Sequence, residues 1–360
     1  MGILIVTIFV SFVLLCTWLS TQDMEKRIRN RTGQTLDVLV TSTHQLVKDW
    51  LSDEMHNLMI WGKNPALVKE VENLLKVPRN KKALTQSKAL AEIRKSYWGG
   101  VQHPGIKGFF VIAPDNISLG SSRDANVGTK NLIALQRPDL LKKAFEGNTI
   151  FIPPIQSDIP LKDASGKFRK APPTMFIASP VRNNNNKVIA VLTLRIDYYK
   201  DFSRLCNVGR IGASGESYAF DQRGTMLSES RFRDELIKIG LIDKGAVKSS
   251  GFRLADPGGN LAEGHIPPQS LKDMPLTQMA QSAISGESGK RIDGYRDYRG
   301  VRVLGAWIWD PELGIGIVSE VNESDALASF YTDRLVIISV LGVTVIISLL
   351  ILSPPKAKSL

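Results

Sequence analysis

The two ends of the chain constrain its fold more than anything between them. Met1 to Leu19 and Leu335 to Leu352 are apolar stretches without a charged residue, each near the roughly 20 residues that a helix needs to cross a hydrocarbon core. A chain held in a membrane at both ends must fold its middle as a body whose two ends lie side by side. The second stretch is also wired to a sheet. Arg291 to Tyr298, a turn at Arg299 and Gly300, the β-branched and aromatic run Val301 to Trp309, a turn over Asp310 to Gly314 and a strand Ile315 to Val321 read as an antiparallel meander. Asn322 is the predicted N-cap of a helix, with Glu323 and Asp325 in a first turn whose free N–H groups favour negative charge. No Pro or Gly then intervenes before Gly342, so a helix of about 30 residues, roughly 45 Å long, is expected to run from sheet to membrane.

The first stretch lacks a basic leader and a clear small-x-small site after Leu19, and so reads as an uncleaved anchor rather than a removed signal peptide. Two spans place both termini on one side. The positive-inside count, with Lys26, Arg27, Arg29 and Arg31 after the first span against Lys356 and Lys358 in the tail, leans toward a cytoplasmic middle, but long domains translocate largely regardless of charge. The 360 residues are 43% hydrophobic and 22% charged, a globular composition with room for one large or two ordinary domains. Cys16 sits in the first span and Cys206 stands alone in the middle, so no disulfide is expected in the soluble part. The net charge of +11 is spread over loops, among them Arg79 to Lys82 and Lys162, Lys167, Arg169 and Lys170. These read as solvated loops, with contact to anionic lipid or ligand as the alternative. With no recognisable motif and no basic stripe interleaved with aromatics, no nucleic-acid partner is expected.

From Asp23 to Trp61 there is no proline, and Leu36, Leu39, Val40, Thr43, Leu46, Val47, Trp50, Leu51 and Leu58 recur at helical steps. The expectation is a long helix leaving the membrane, whose stripe packs along the domain or pairs with a second copy. A shorter helix is predicted over Ala83 to Tyr97. The middle then repeats itself. Phe110 to Ser122 lies in step with Tyr218 to Ser230, each strand, polar turn, strand; Ile177 to Arg182 and Lys187 to Asp197 match Leu304 to Trp309 and Gly314 to Val321. Between these hairpins lie insertions: Asn131 to Phe145, helical with a break at Pro138, and a loop Gly147 to Pro173; then Arg231 to Ile242, helical, and a Gly/Pro-rich stretch from Asp256 to Pro268. Long ordered loops against a sheet are where pockets are commonly built.

Catalytic constellations are missing. The four histidines fall at no ligand spacing, and there is no Cys-x-x-Cys. Ser288, Gly289 and Lys290 lack the upstream glycine of a phosphate loop, and Gly212 to Glu216 departs from a nucleophile elbow at its last position. The chain therefore reads as a binding protein and not an enzyme, with no cofactor and no metal.

With the repeat, the spans and the long first helix together, the chain resembles the double Cache (dCache) family of extracytoplasmic sensor domains of bacterial chemoreceptors, sensor kinases and nucleotide cyclases. The resemblance covers about Asp23 to Asp333 and is carried by Gly215 to Asp221 with Ser228 to Phe232, by Asp297 to Ala306 with Glu320, and by Pro173 to Val181 leading to Asp197. It implies an α+β fold: two tandem PAS-like modules with antiparallel sheets on a long N-terminal helix, flanked by two transmembrane helices. The organisation expected is a transmembrane helix 1–20, a membrane-leaving helix and connector 22–84, a membrane-distal ligand-binding module 85–208, a membrane-proximal module 209–322, a connecting helix 323–334, a transmembrane helix 335–352 and a short cytoplasmic tail 353–360. It also implies a multi-pass protein of the bacterial inner membrane with a periplasmic soluble region, acting as a homodimer. The function expected is small-molecule sensing for a signalling receptor whose output domain is absent from this chain; the alternative is a stand-alone anchored binding protein acting through a separate signalling partner.

A small polar ligand, a carboxylate for instance, needs a few convergent polar groups in an apolar wall. Phe110 and Met175 are the predicted wall in the distal module, and Ser121, Ser157, Asp158 and Asp197 the polar contacts. Arg137 is the predicted clamp for a ligand carboxylate through two parallel N–H bonds. In the amino-acid-binding branch of the family an Arg-x-Trp-Tyr type motif is found in the distal module; here Arg137 and Asp197 are candidates for its places, with Asp139 and Leu140 where the aromatic pair would stand. The alternative is that Arg137 pairs on a surface helix and Asp197 caps the helix after it.

Overall fold

The first helix, α1 (Gly2–Gly62), runs 61 residues without interruption, about 90 Å at 1.5 Å per residue. The computed structural model describes residues 2–98, 106–157, 161–162, 168–169, 173–196, 202–244 and 251–352. The apolar stripe predicted on α1 is its inner face. Leu36, Val40, Thr43, Val47, Leu51 and Leu58 are buried and, Thr43 aside, join one hydrophobic core with residues of both sheets. This corrects the idea that the same stripe pairs two copies: those side chains are spent on the chain's own sheets, and apolar residues left outward on the soluble half, such as Val38 and Leu46, do not form a continuous seam. Gly33 lets α1 approach the proximal sheet, because a Cβ there would stand 2.6 Å from Ile292 Cγ2.

Each sheet lies with one face on α1. The distal sheet has the order β2-β1-β7-β6-β3, built from β1 (Ile106–Ile112), β2 (Ser118–Ser121), β3 (Ile150–Gln156), β6 (Pro173–Arg182) and β7 (Val188–Ile196), all neighbours antiparallel. A two-residue pair, β4 (Leu161–Lys162) with β5 (Phe168–Arg169), sits between β3 and β6 in sequence. The proximal sheet has the order β8-β11-β10-β9, from β8 (Glu216–Asp221), β9 (Gly289–Arg296), β10 (Arg302–Asp310) and β11 (Ile315–Asn322). A bridge between Phe220 and Met226 takes the place that β2 takes in the distal sheet. The repeat predicted from Phe110 and Tyr218 is thus present in the pairing: Phe110 faces Thr193 of the last distal strand, and Tyr218 faces Val318 of the last proximal one.

Strand period then sorts side chains into two layers. Phe109, Val111, Met175, Ile177, Leu192 and Leu194 point into the α1 core, while Phe110, Ile112, Phe176, Ala178 and Val191 form an outer core under α5 (Leu132–Gln136) and α6 (Pro138–Phe145). In the proximal module Tyr218, Phe220, Tyr295, Val303 and Trp307 face outward under α8 (Arg233–Lys238) and α9 (Gln278–Ile284).

Local chemistry explains several departures from expectation. The break at Pro138 is real, and Pro138 opens α6 at the position where a missing N–H costs nothing. The predicted helix over Ala83 to Tyr97 divides into α3 (Lys81–Thr85), α4 (Lys88–Glu92) and a π-helical turn, because Ser87 caps α4 by accepting from Leu90 N–H. The stretch Gly147 to Pro173 is not all loop. Pro153 and Pro154 lie inside β3, an edge strand whose register shifts between Ile152 and Ile155, which is where a strand tolerates residues without an N–H. At the other end, the helix expected from Asn322 is two: α10 (Glu323–Ala326) and α11 (Ala328–Leu352), separated at Leu327. Asn322 makes no side-chain cap, since its Oδ1 is taken by Arg299. Of the helix expected after Asp197, α7 (Ser203–Cys206) is described; 197–201 fall outside the described residues.

Candidate functional site

β7 is an apolar strand carrying one charge, Arg195, and the register decides where it points. Arg195 stands opposite Gly108 of β1 and Phe176 of β6, on the outer face, and is 3% exposed. Its guanidinium carbon lies 5.5 Å from the centre of the Phe110 ring and 5.1 Å from that of Phe176, the two rings being 5.8 Å apart. This is cation–π geometry, and the planar guanidinium suits it. Nη1 donates to Ser157 Oγ at 3.2 Å. Ser121, opposite Phe110 on β2, lies on the same face.

Phe110, Ser121 and Arg195 border a shallow, solvent-open recess of about 10 Å³, room for about one water-sized group. Lys107, Arg123 and Arg195 line it together with Ser121, Ser122 and Asn126, and among the described residues no carboxylate does. Beside Phe110, the hydroxyl of Thr193 is buried and has no hydrogen-bond partner, a condition that costs about 1–3 kcal/mol unless a water or ligand meets it. Three cationic side chains and the Phe110 ring thus stand around one small recess.

Of the residues predicted for the site, the structure brings Phe110, Ser121 and Ser157 together around Arg195. Met175 is buried on the opposite face, against α1, because neighbouring strand residues alternate; its neighbour Phe176 lies on the outer face, beneath Arg195. Arg137 lies elsewhere. It joins α5 to α6 and forks onto Asp139, with Nε to Oδ1 at 3.1 Å and Nη2 to Oδ2 at 2.9 Å. That pairing holds the Asp139 carboxyl below its ordinary value. Arg137 borders a separate cleft between the modules, with Pro153, Pro154, Asp221 and Arg223. Asp158 and Asp197 lie outside the described residues. Arg195 itself is missing from the residues predicted for the site, although a lone arginine in an otherwise unbroken apolar strand is a signal for it.

The proximal module fills the matching place differently. Glu320 of β11 stands opposite Glu216 of β8 and Gly305 of β10, which is the register that Arg195 has in the distal sheet. Glu320 accepts from Tyr218 Oη at 2.9 Å and Tyr295 Oη at 2.6 Å, and Glu216 accepts from Tyr298 Oη at 2.6 Å and Arg231 N–H at 2.8 Å. Gly305 is required here, because a Cβ would collide with Tyr295 Oη. Arg299 forks onto Asp297, with Nε to Oδ2 at 2.8 Å, stacks 3.6 Å from the centre of the Phe232 ring, and donates to Glu235 and Asn322. Burial raises the Glu216 and Asp297 carboxyls and lifts the three tyrosines well above their ordinary value; on Asp297 it prevails over the attraction of Arg299. The side chains of this cluster satisfy one another. Among the described residues no group of three His, Cys, Asp or Glu side chains is placed to hold a metal.

No family model matches the chain, and no curated protein matches it. Among solved structures it is similar to the periplasmic sensory domain of the Campylobacter jejuni chemoreceptor Tlp1, at 13% identity over 83% of this chain and 98% of that one, with a TM-score of 0.44. It is similar also to the ligand-binding domain of the Pseudomonas aeruginosa PAO1 amino-acid chemoreceptor PctB in complex with L-Arg, at 15% identity over 84% and 92% with a TM-score of 0.43. A third is the sensor domain of the V. cholerae histidine kinase DctB, at 12% identity over 83% and 99% with a TM-score of 0.43. The geometry of the recess and of the proximal cluster rests on this chain's own strand pairing and side chains.

Proposed function

We propose that the chain is the extracytoplasmic input region of a bacterial transmembrane receptor, and that its distal module takes a small anionic ligand in the recess around Arg195. The observation that carries the ligand class is the recess itself, lined by three cationic side chains and, among the described residues, no carboxylate, with one guanidinium held in place by two aromatic rings and Ser157. A positioned arginine binds carboxylate or phosphate oxygens with charge-assisted, paired hydrogen bonds. Membrane attachment at both ends is supported by side chains that have no cover within the fold. Ile8, Phe12 and Trp18 on α1, and Leu335, Val340 and Ile346 on α11, are each at least half exposed, and rows of large apolar residues need lipid around them. The proximal module is the relay, because β11 leads through α10 into α11 and the junction is clamped. Glu323 accepts from Arg29 of α1 at 2.5 Å and from Arg302 at 2.6 Å, and Asp325 accepts from Ser214 N–H and Oγ at 2.8 Å each.

Two measurements test this reading. A cytosol-active reporter fused after Leu360 is expected to be active and the same reporter inserted at Gly258 silent; the reverse would remove the topology. A thermal-shift screen of the full chain in detergent, with a panel of small mono- and dicarboxylates and inorganic phosphate against matched amines and neutral amides, is expected to give stabilisation among the anions alone. Stabilisation by the amines alone would overturn the ligand class.

A further inference from the structure

The proximal cluster holds more buried carboxylates than cations. Asp297, Glu216 and Glu320 are 1–3% exposed, and the fully buried cation among them is Arg299. Arg299 is committed: its fork holds Asp297, which also accepts N–H bonds from Arg299 and Val301. Among the described residues, no cation around Glu320 hydrogen-bonds or pairs with its carboxyl. From β8 come Glu216 and Tyr218; from β9, Tyr295, and Arg291, whose half-exposed side chain donates to Gln278; from the β9–β10 turn, Asp297, Tyr298 and Arg299; from β10, Gly305. Behind Arg299 stands Glu235 of α8, and Arg231 meets Glu216 through its backbone N–H. Glu320 and Glu216 are therefore direct cross-strand neighbours whose side-chain partners are hydroxyl groups. Directly opposed residues on antiparallel strands stand about 5 Å apart, and like charges there repel. A buried carboxylate without a cation takes up a proton instead.

We propose that the proximal module is itself a proton-binding site, centred on Glu320 with Glu216 across the strand, and that its occupancy is read at the junction to α11 through Arg299 and Asn322. This goes beyond the ligand reading of the distal module and stands whether or not the Arg195 recess takes an anion. Burial, then the charge of Asp297, push the Glu320 carboxyl up to about 8, so the proton comes off near neutral pH. When it does, it leaves for solvent and both tyrosines donate to the charged carboxylate; when it is bound, one of the two hydroxyls must accept instead. The link to the membrane helix is short. Arg299 Nη2 donates to Asn322 Oδ1 at 2.9 Å, and Asn322 N–H donates at 3.0 Å to the Ser214 hydroxyl, which in turn donates to Asp325 of α10. Asp297, whose charge acts on Glu320, is the carboxylate that Arg299 holds, so a change of charge at Glu320 reaches Arg299 through Asp297 and, from there, the last residue of β11.

The test is an infrared pH titration of the full chain in lipid nanodiscs, following the carbonyl stretch of protonated carboxylic acid. The expected result is a band lost with a midpoint within about one unit of 8 and absent from Glu320→Gln. If Glu320→Gln does not fold, Tyr295→Phe serves, since removing a donor to the carboxylate moves the same midpoint upward. No carboxyl band titrating above about pH 6, or a band that persists unchanged in Glu320→Gln, or an unmoved midpoint in Tyr295→Phe, would overturn the site. Hydrogen exchange of the Asn322 to Leu327 amides is expected to change across the same midpoint; unchanged exchange beside a titrating band would overturn the readout through the junction.

Discussion

The outer faces of the two sheets are the same place in one repeat, and they carry buried ionisable groups of opposite kind, a guanidinium in one and a carboxyl in the other. In the distal sheet the site opposite Gly108 and Phe176 is Arg195; in the proximal sheet the site opposite Glu216 and Gly305 is Glu320. Around Arg195 the neighbours are rings, hydroxyls and two further cations bordering open space. Around Glu320 they are tyrosine hydroxyls, with Gly305 making room for Tyr295 where the distal module has Phe176. One module sets its ionisable group at the edge of an open recess; the other closes its ionisable group among its own side chains. A repeated sheet therefore need not carry a repeated set of side chains, since one position on the last strand and the two facing it on the neighbouring strands decide whether the face is open or closed.

The contrast is most exposed to attack at Arg299. Replacing it with Met leaves Asp297 buried without its cation, and losing one partner of a buried pair costs about 3–5 kcal/mol. Denaturant unfolding of the full chain in detergent should show that loss, and a change under about 1 kcal/mol would mean the cluster is not closed as described.

Next in size is the pH dependence of Glu320→Gln. The Glu320 carboxyl is raised in the folded protein, from 4.5 to about 8. Its bound proton therefore contributes stability that is fully present below the unfolded value and is lost as pH rises through the folded one. Wild type should lose melting temperature over that span, and Glu320→Gln should lose less by about 4 °C or more, at roughly 2–4 °C per kcal/mol. Equal slopes would place the titration elsewhere.

The smallest effect belongs to the distal side. Thr193→Val removes a buried hydroxyl that lacks a partner and keeps the shape, so the unliganded protein is expected to gain up to about 1 kcal/mol. A loss of more than that would show that the hydroxyl is already satisfied.

Much of this architecture is legible in the sequence, because it is set by local pattern. The steps of Leu36, Val40, Val47 and Leu51 define the inner face of α1, and the β-branched runs flanked by polar turns define the strands. What local pattern leaves open is set by register. Met175 and Phe176 are neighbours, and a shift of one residue exchanges the face on α1 for the face on the recess. Arg137 and Arg195 are both single arginines beside apolar runs; only the pairing of β7 with β1 and β6 buries one, while the turn into α6 gives the other to Asp139. Pro153 and Pro154 read as loop because their tolerance in β3 depends on its being an edge strand. The cap expected of Asn322 is lost to Arg299, a residue brought to it by the sheet.

The ligand reading depends on the distal seat being built on Arg195 and not on Arg137. The deciding measurement is calorimetric titration of whichever small carboxylate or phosphate gives the largest thermal shift into wild type, Arg195→Met and Arg137→Ala, all as full chains. Arg195→Met is expected to weaken binding by about 10–100-fold or more, the worth of a hydrogen bond to a charged group at roughly 1.5–3 kcal/mol, while Arg137→Ala binds within about twofold of wild type. Binding lost in Arg137→Ala and kept in Arg195→Met would contradict it.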